Sequence, residues 1–291
     1  MNKLIRVLIL IMVIALYPKH VRAVPIVISF STRATLGGNT YEKGDLVRID
    51  DPTNPAGTNS LYATVLGNNR NLDAFHVQSD GKILLSHDGS VYTLGGVSFR
   101  AGDVVRYNPL NGATELYLLG NTSTAGPDIF GNTTSIFRTS GGLPTTENVT
   151  TLGLLANGNI LLSVAAATAR LDYVGGGLLA FQDEDVVEYD PVAKKAIGVF
   201  FDATPYYTVQ TNGFSPLSST EVLVSTVTAV TISGITYTND QIFKINTSTG
   251  TASLFMSLPK DCGTIDAIWV IPEPATILLL GLGGVMLRRK Q

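Results

Sequence analysis

The chain has 291 residues, a formal net charge of -3 and 15% charged residues, against about a quarter in a typical soluble domain. No basic block lies outside the two ends, which argues against nucleic acid as a partner. The one cysteine, Cys262, excludes an internal disulfide and any cysteine-based metal site, and its packed reading is preferred over an intermolecular bridge.

Residues 1–23 have the form of a signal peptide. Lys3 and Arg6 supply positive charge, Leu4 to Leu16 is apolar apart from Arg6, and Val21-Arg22-Ala23 offers small or aliphatic residues where a signal peptidase reads. Cleavage is expected after Ala23. Lys19, His20 and Arg22 are unusual so close to such a site, which keeps an uncleaved anchor as the alternative.

Thr, Ser, Asn, Gly and β-branched residues dominate the rest and favour strands and turns. One strand recurs four times: Gly44 to Asp50, Gly102 to Asn108, Glu184 to Asp190 and Asp240 to Asn246. Its second residue is Asp45, Asp103, Asp185 or Gln241, and an aromatic (Tyr41, Phe99, Phe181 or Tyr237) stands four residues before that position each time. Turns such as Asn108-Pro109-Leu110-Asn111-Gly112 follow, where Asn starts the turn through its side chain and Gly accepts positive φ. Further strands come next at Leu61 to Leu66, Glu115 to Leu119, Ala196 to Phe201 and Ala252 to Ser257.

Upstream of each recurring strand lies a run apolar on both faces: Ile26 to Ser29, Ile83 to Ser86, Ile160 to Ser163 and Val222 to Ser225. That pattern predicts strands covered on both sides. Before these come Leu72 to Val77, Thr150 to Leu155 and Asn212 to Leu217, the last weakened by Pro216. The unit therefore has an inner, a second, a third and an outer strand.

The first unit lacks its inner strand, and Ile265 to Val270 is an inner strand with no unit after it. Asp266-Ala267-Ile268 matches Asp73-Ala74-Phe75 position by position. One orphan strand at each end is what circular closure requires. The predicted fold is all-β: a four-bladed-propeller-like ring of four-stranded antiparallel repeats, closed by the C-terminal strand. The units are spaced roughly 55 to 80 residues, a little longer than the ~40–50 of common propeller repeats. An open sandwich of duplicated hairpins is the alternative. The insert Asn121 to Glu147 reads as a surface loop, and Ala165 to Gly177 as a lengthened turn.

Candidate chemistry is sparse. Asp73, His76 and His87 could converge on a metal, but a histidine packed in a strand is the preferred reading. The column Asp73, Thr150, Asn212 and Asp266 would line a propeller's channel, where it could hold an ion or water. Capping of turn backbone is preferred there. The column Asp45, Asp103, Asp185 and Gln241 reads as structural. No nucleophile elbow, zincin motif or phosphate loop is present. No catalytic residue, cofactor or metal is assigned.

After Pro272-Glu273-Pro274 comes the apolar run Ala275 to Leu287, then Arg288-Arg289-Lys290. As a hydrophobic helix that run would span about 20 Å, short of the ~30 Å hydrocarbon core. Its basic end would stay cytoplasmic. The ordered set Pro272-Glu273-Pro274, Ala275 to Gly284 and Arg288-Arg289 resembles the sorting signal of PEP-CTERM proteins. The resemblance covers roughly the last twenty residues. It implies recognition at Pro272, Glu273 and Pro274 by a membrane-embedded exosortase, a cysteine transpeptidase-like sorting enzyme. It also implies a Gram-negative host that makes exopolysaccharide or biofilm.

The expected organisation is a signal peptide at 1–23, a propeller-like domain at 24–271 and a sorting and anchoring segment at 272–291. The expected function is that of an exported cell-surface or extracellular-matrix protein, not an enzyme, associated with exopolysaccharide or biofilm. Its path runs through an inner-membrane intermediate. A carbohydrate- or protein-binding propeller, supported by aromatics such as Tyr173, Tyr206 and Tyr207, ranks second. A propeller hydrolase or lyase ranks third, on fold analogy alone.

Overall fold

The computed structural model describes residues 24–67, 70–260 and 262–272. The expected signal peptide and apolar helix lie outside them. All regular elements among the described residues are strands. Sixteen of them form four antiparallel sheets, each in the spatial order inner, second, third, outer.

Blade one consists of Ile265–Val270, Ile26–Phe30, Asp45–Ile49 and Asn59–Thr64. Blade two consists of Ala74–Val77, Ile83–Ser86, Val104–Tyr107 and Thr114–Leu118. Blade three consists of Val149–Leu154, Ile160–Val164, Val186–Asp190 and Lys195–Phe201. Blade four consists of Thr211–Pro216, Glu221–Thr226, Gln241–Asn246 and Thr251–Ser257. Pro216 ends its strand, a position where the missing N–H does little harm.

The ring closes as the repeat requires. The C-terminal strand pairs with the first one, Val270 opposite Ile26 and Ile268 opposite Ile28. Each inner strand packs against its two neighbours around the axis. The core is divided into four wedges, one at each seam between blades. Val27 and Leu46 of blade one meet Phe75, Leu85 and Val105 of blade two. Leu84 and Val104 of blade two meet Leu162 and Val187 of blade three. Leu161 and Val186 of blade three meet Phe214 and Phe243 of blade four. Leu223 and Ile242 of blade four meet Ile26 and Ile28 of blade one. The second strands are apolar on both faces because each face belongs to a different seam. Polar links cross the seams as well: Ser29 Oγ donates to the Leu72 carbonyl (3.2 Å), and Ser225 Oγ to that of Ile265 (3.4 Å).

The recurring Asp/Gln column is structural. In each blade it accepts the backbone N–H three residues earlier: Glu42 to Asp45 (2.8 Å), and Arg100 to Asp103, Gln182 to Asp185 and Thr238 to Gln241 (3.0 Å each). The turns opened by Asn108 and Asn246 also form as expected. Their side-chain oxygens accept the Leu110 and Ser248 N–H groups at 3.0 Å.

Two features differ from the sequence reading. Each blade carries an extra hairpin between its second and third strands: 34–41, 92–99, 169–181 and 230–237. The recurring aromatic is the last residue of that hairpin, and all four are buried. Three hairpins turn at Gly37-Gly38, Gly95-Gly96 and Ser233-Gly234, where both residues have positive φ. That is the type I′ geometry that matches strand twist. The insert 121–147 is also more than a surface loop. Ser135, Ile136 and Phe137 are buried, and Phe137 joins the core between blades two and three. Asp128 braces it by accepting the N–H groups of Leu119, Phe130 and Asn132.

Candidate functional site

The inner strands line the axis, and their two ends open onto two cavities of different chemistry. The strand starts, Asp73, Thr150, Asn212 and Asp266, line a cavity of about 260 Å³ together with Asn71 and Asn148. Near the strand ends, His76, Leu154, Pro216 and Trp269 line a second cavity of about 270 Å³. Three or four residues separate the two levels, or roughly 10–13 Å at strand rise.

The polar mouth does not consist of turn caps. Only Thr150 bonds backbone there, and it reaches the Thr211 carbonyl of the next blade (3.1 Å). Asp73 instead accepts two side-chain amides, Asn71 Nδ2 at 2.5 Å and Asn148 Nδ2 at 2.6 Å. Asn212 Oδ1 accepts Gln210 Nε2 at 3.2 Å. Asp266 is only 7% exposed, and its Oδ2 has no hydrogen-bond partner. Burial pushes the Asp266 carboxyl up to about 8, and the Asp73 and Asp88 carboxylates add to the rise, against Asn71 and Lys43. Burial likewise pushes Asp73 up to about 7, opposed by its two amide partners and assisted by Asp88.

The three residues weighed as metal ligands do not converge. Asp73 faces the polar mouth and His76 lines the apolar one, edge-on to Trp269 with ring centroids 6.2 Å apart. Burial lowers the His76 imidazole to about 4, so it is neutral. His87 is fully buried, with Phe99 and Tyr92 edge-on to its ring at 4.8 and 5.9 Å. No group of three His, Cys, Asp or Glu side chains able to hold a metal occurs among the described residues.

The expected aromatic platform is also altered. Tyr207 is buried and hydrogen-bonded to Thr211 Oγ1 (2.9 Å), and Tyr173 is half-buried. Tyr206 is half-buried and stacks on Phe201 with centroids 5.7 Å apart. Beside it, the 40%-exposed Phe200 and Asp202 line a cavity of about 240 Å³. Cys262 is buried, and its thiol donates to the Thr35 carbonyl (3.0 Å).

The closing strand runs straight into the sorting residues. Ile271 N–H donates to the Pro25 carbonyl (3.0 Å), and Val270 N–H to Ser215 Oγ (3.3 Å). The next residue, Pro272, is exposed and lines the apolar mouth. Glu273, Pro274, Arg288 and Arg289 lie outside the described residues.

Residues 270–290 match the PEP-CTERM protein-sorting motif. That motif implies an exported chain processed by an exosortase. The match begins at the last residue of the closing strand. No curated protein matches the chain. Among solved structures, a Bacteroides caccae protein of unknown function is similar at 12% identity and a TM-score of 0.39, covering 86% of this chain and 100% of its own. Virginiamycin B lyase from Staphylococcus aureus is similar at 12% identity and a TM-score of 0.32, covering 83% and 77%. At these scores neither likeness bears on function.

Proposed function

We propose that the chain is a non-enzymatic surface or matrix protein, associated with exopolysaccharide and delivered by the sorting motif. A signal peptide at 1–23 exports it, residues 24–271 form the displayed propeller, and residues 272–291 hold it at the inner membrane until the exosortase acts. The match at 270–290 is the observation that carries this reading. The junction of Pro25 with Ile271 supports it, because both membrane-directed segments then leave from one place on the ring. Replacing Glu273 by Ala in the native host tests it. The variant should accumulate in the membrane fraction at full length. Delivery to the surface at the wild-type level would overturn the reading.

A second reading, glycan binding by the propeller, draws on Phe200, Tyr206 and Asp202 around one cavity. Aromatic faces beside a carboxylate suit a sugar ring and its hydroxyls.

A further inference from the structure

The polar mouth of the channel is short of hydrogen-bond donors. Asp73 accepts the NH₂ groups of both Asn71 and Asn148. A carboxylate can only accept, so it fixes both amides with nitrogen toward itself. The remaining oxygens, Asn71 Oδ1 and Asn148 Oδ1, are buried and have no partner, and neither does Asp266 Oδ2. Asn71 and Asp266 are 9% and 7% exposed. The three residues that carry these oxygens line one cavity, together with Asp73 and Asp88. Buried acceptors left without donors are costly, and among the described residues no donor lies within hydrogen-bond distance of these three oxygens.

We propose that this mouth is a calcium site, in which Asp73, Asp266 and the amide oxygens of Asn71 and Asn148 bind one ion. All the donors are oxygen, and calcium takes six to eight such ligands, carboxylate, amide and water, at ~2.3–2.6 Å. The all-oxygen set, without three converging His, Cys or acidic groups, does not suit zinc. A cavity of about 260 Å³ leaves room for waters in the shell, and suits flexible calcium coordination better than the tight octahedron of magnesium. Asp88 and Lys43 are the other charged groups acting on Asp266, with Asp88 favouring the cation and Lys43 opposing it. The donors come from the start of blade two, the approach to blade three and the closing strand, so the ion would tie the closing strand to its neighbours. The site does not depend on the sorting reading.

The test uses the full chain purified in mild detergent and stripped with EDTA. Calorimetric titration with CaCl₂ should give saturable binding of one ion per chain, with Kd about 0.1–1 mM, the range of extracellular calcium modules. The thermal midpoint should rise with CaCl₂, respond less to MgCl₂, and return on chelation. Asp266→Asn should abolish the calcium response. No saturable heat and no midpoint shift in the wild type would overturn the site. So would an unchanged calcium response in Asp266→Asn, which would put the ion elsewhere. If that variant does not fold, the wild-type titration and thermal midpoint decide alone.

Discussion

The same four strands build both ends of the channel, yet one end is acidic and the other apolar. At the first level stand Asp73, Thr150, Asn212 and Asp266; at the second, His76, Leu154, Pro216 and Trp269. The first level holds buried carboxyls and amides with unpartnered oxygens. The second holds a neutral imidazole against an indole and lies beside the exit to the sorting motif. A repeat fixes the backbone of a ring but leaves each rim free to carry its own chemistry. In strands whose every face is buried, that chemistry is confined to the ends.

The largest effect should come from loosening the closing strand, one of the four that build both rims. Ile268 is 2% exposed and packs in the seam between blades four and one. Ile268→Ala should cost about 2–5 kcal/mol in chemical denaturation. It should expose both cavities together and alter processing at the motif. An equal loss of stability with unchanged processing would show that the strand and the motif are uncoupled.

The rims should respond to pH in opposite senses. The folded-state pKa of Asp266 is raised to about 8. Its contribution is therefore present at low pH and is lost as pH rises from about 4 through about 8. In EDTA, Asp266→Asn should flatten that decline and stabilise the protein at pH 8 by about 1–3 kcal/mol. The folded-state pKa of His76 is lowered to about 4. Its contribution is present above about 6.5 and is lost as pH falls toward 4. His76→Leu should remove that acid sensitivity, worth at most about 3 kcal/mol. Difference profiles of midpoint against pH separate the two; slopes of the same sign would contradict the assignment.

The smallest expected effect lies away from the axis. Tyr206→Ala should change stability by less than about 1 kcal/mol, because the ring is half-buried against Phe201. If the glycan reading holds, it should nonetheless abolish binding on an array. Retained binding would leave both rims, and not the blade four edge, as the places to look.

Most of the ring was legible in the sequence. The orphan strands at the two ends predicted the pairing of Ile26 with Val270, because a four-strand repeat offset by one strand can be completed only by closure. The Asp45 column was legible because short acidic side chains beside a turn accept local N–H groups. The small hairpins were missed although Gly37-Gly38, Gly95-Gly96 and Ser233-Gly234 signalled them between β-branched residues. Three-residue strands carry too little periodicity to register. The burial of Phe137 was hidden because a Thr/Gly-rich segment predicts exposure by composition, while a single aromatic is enough to fill a gap between blades. The acidic rim was visible as a column of polar residues. Its shortage of donors was not, because Asp73 and Asn148 are distant in sequence and meet only across a seam.

Delivery of this ring is proposed to run through a motif that begins where its closing strand ends. Intact-mass analysis of the surface-exposed form from the native host tests it most directly. The expected form lacks Arg288 and Arg289, ends near Pro272 to Pro274, and is lost when the sorting enzyme is deleted. A surface form that still ends at Gln291, with or without the enzyme, would contradict it.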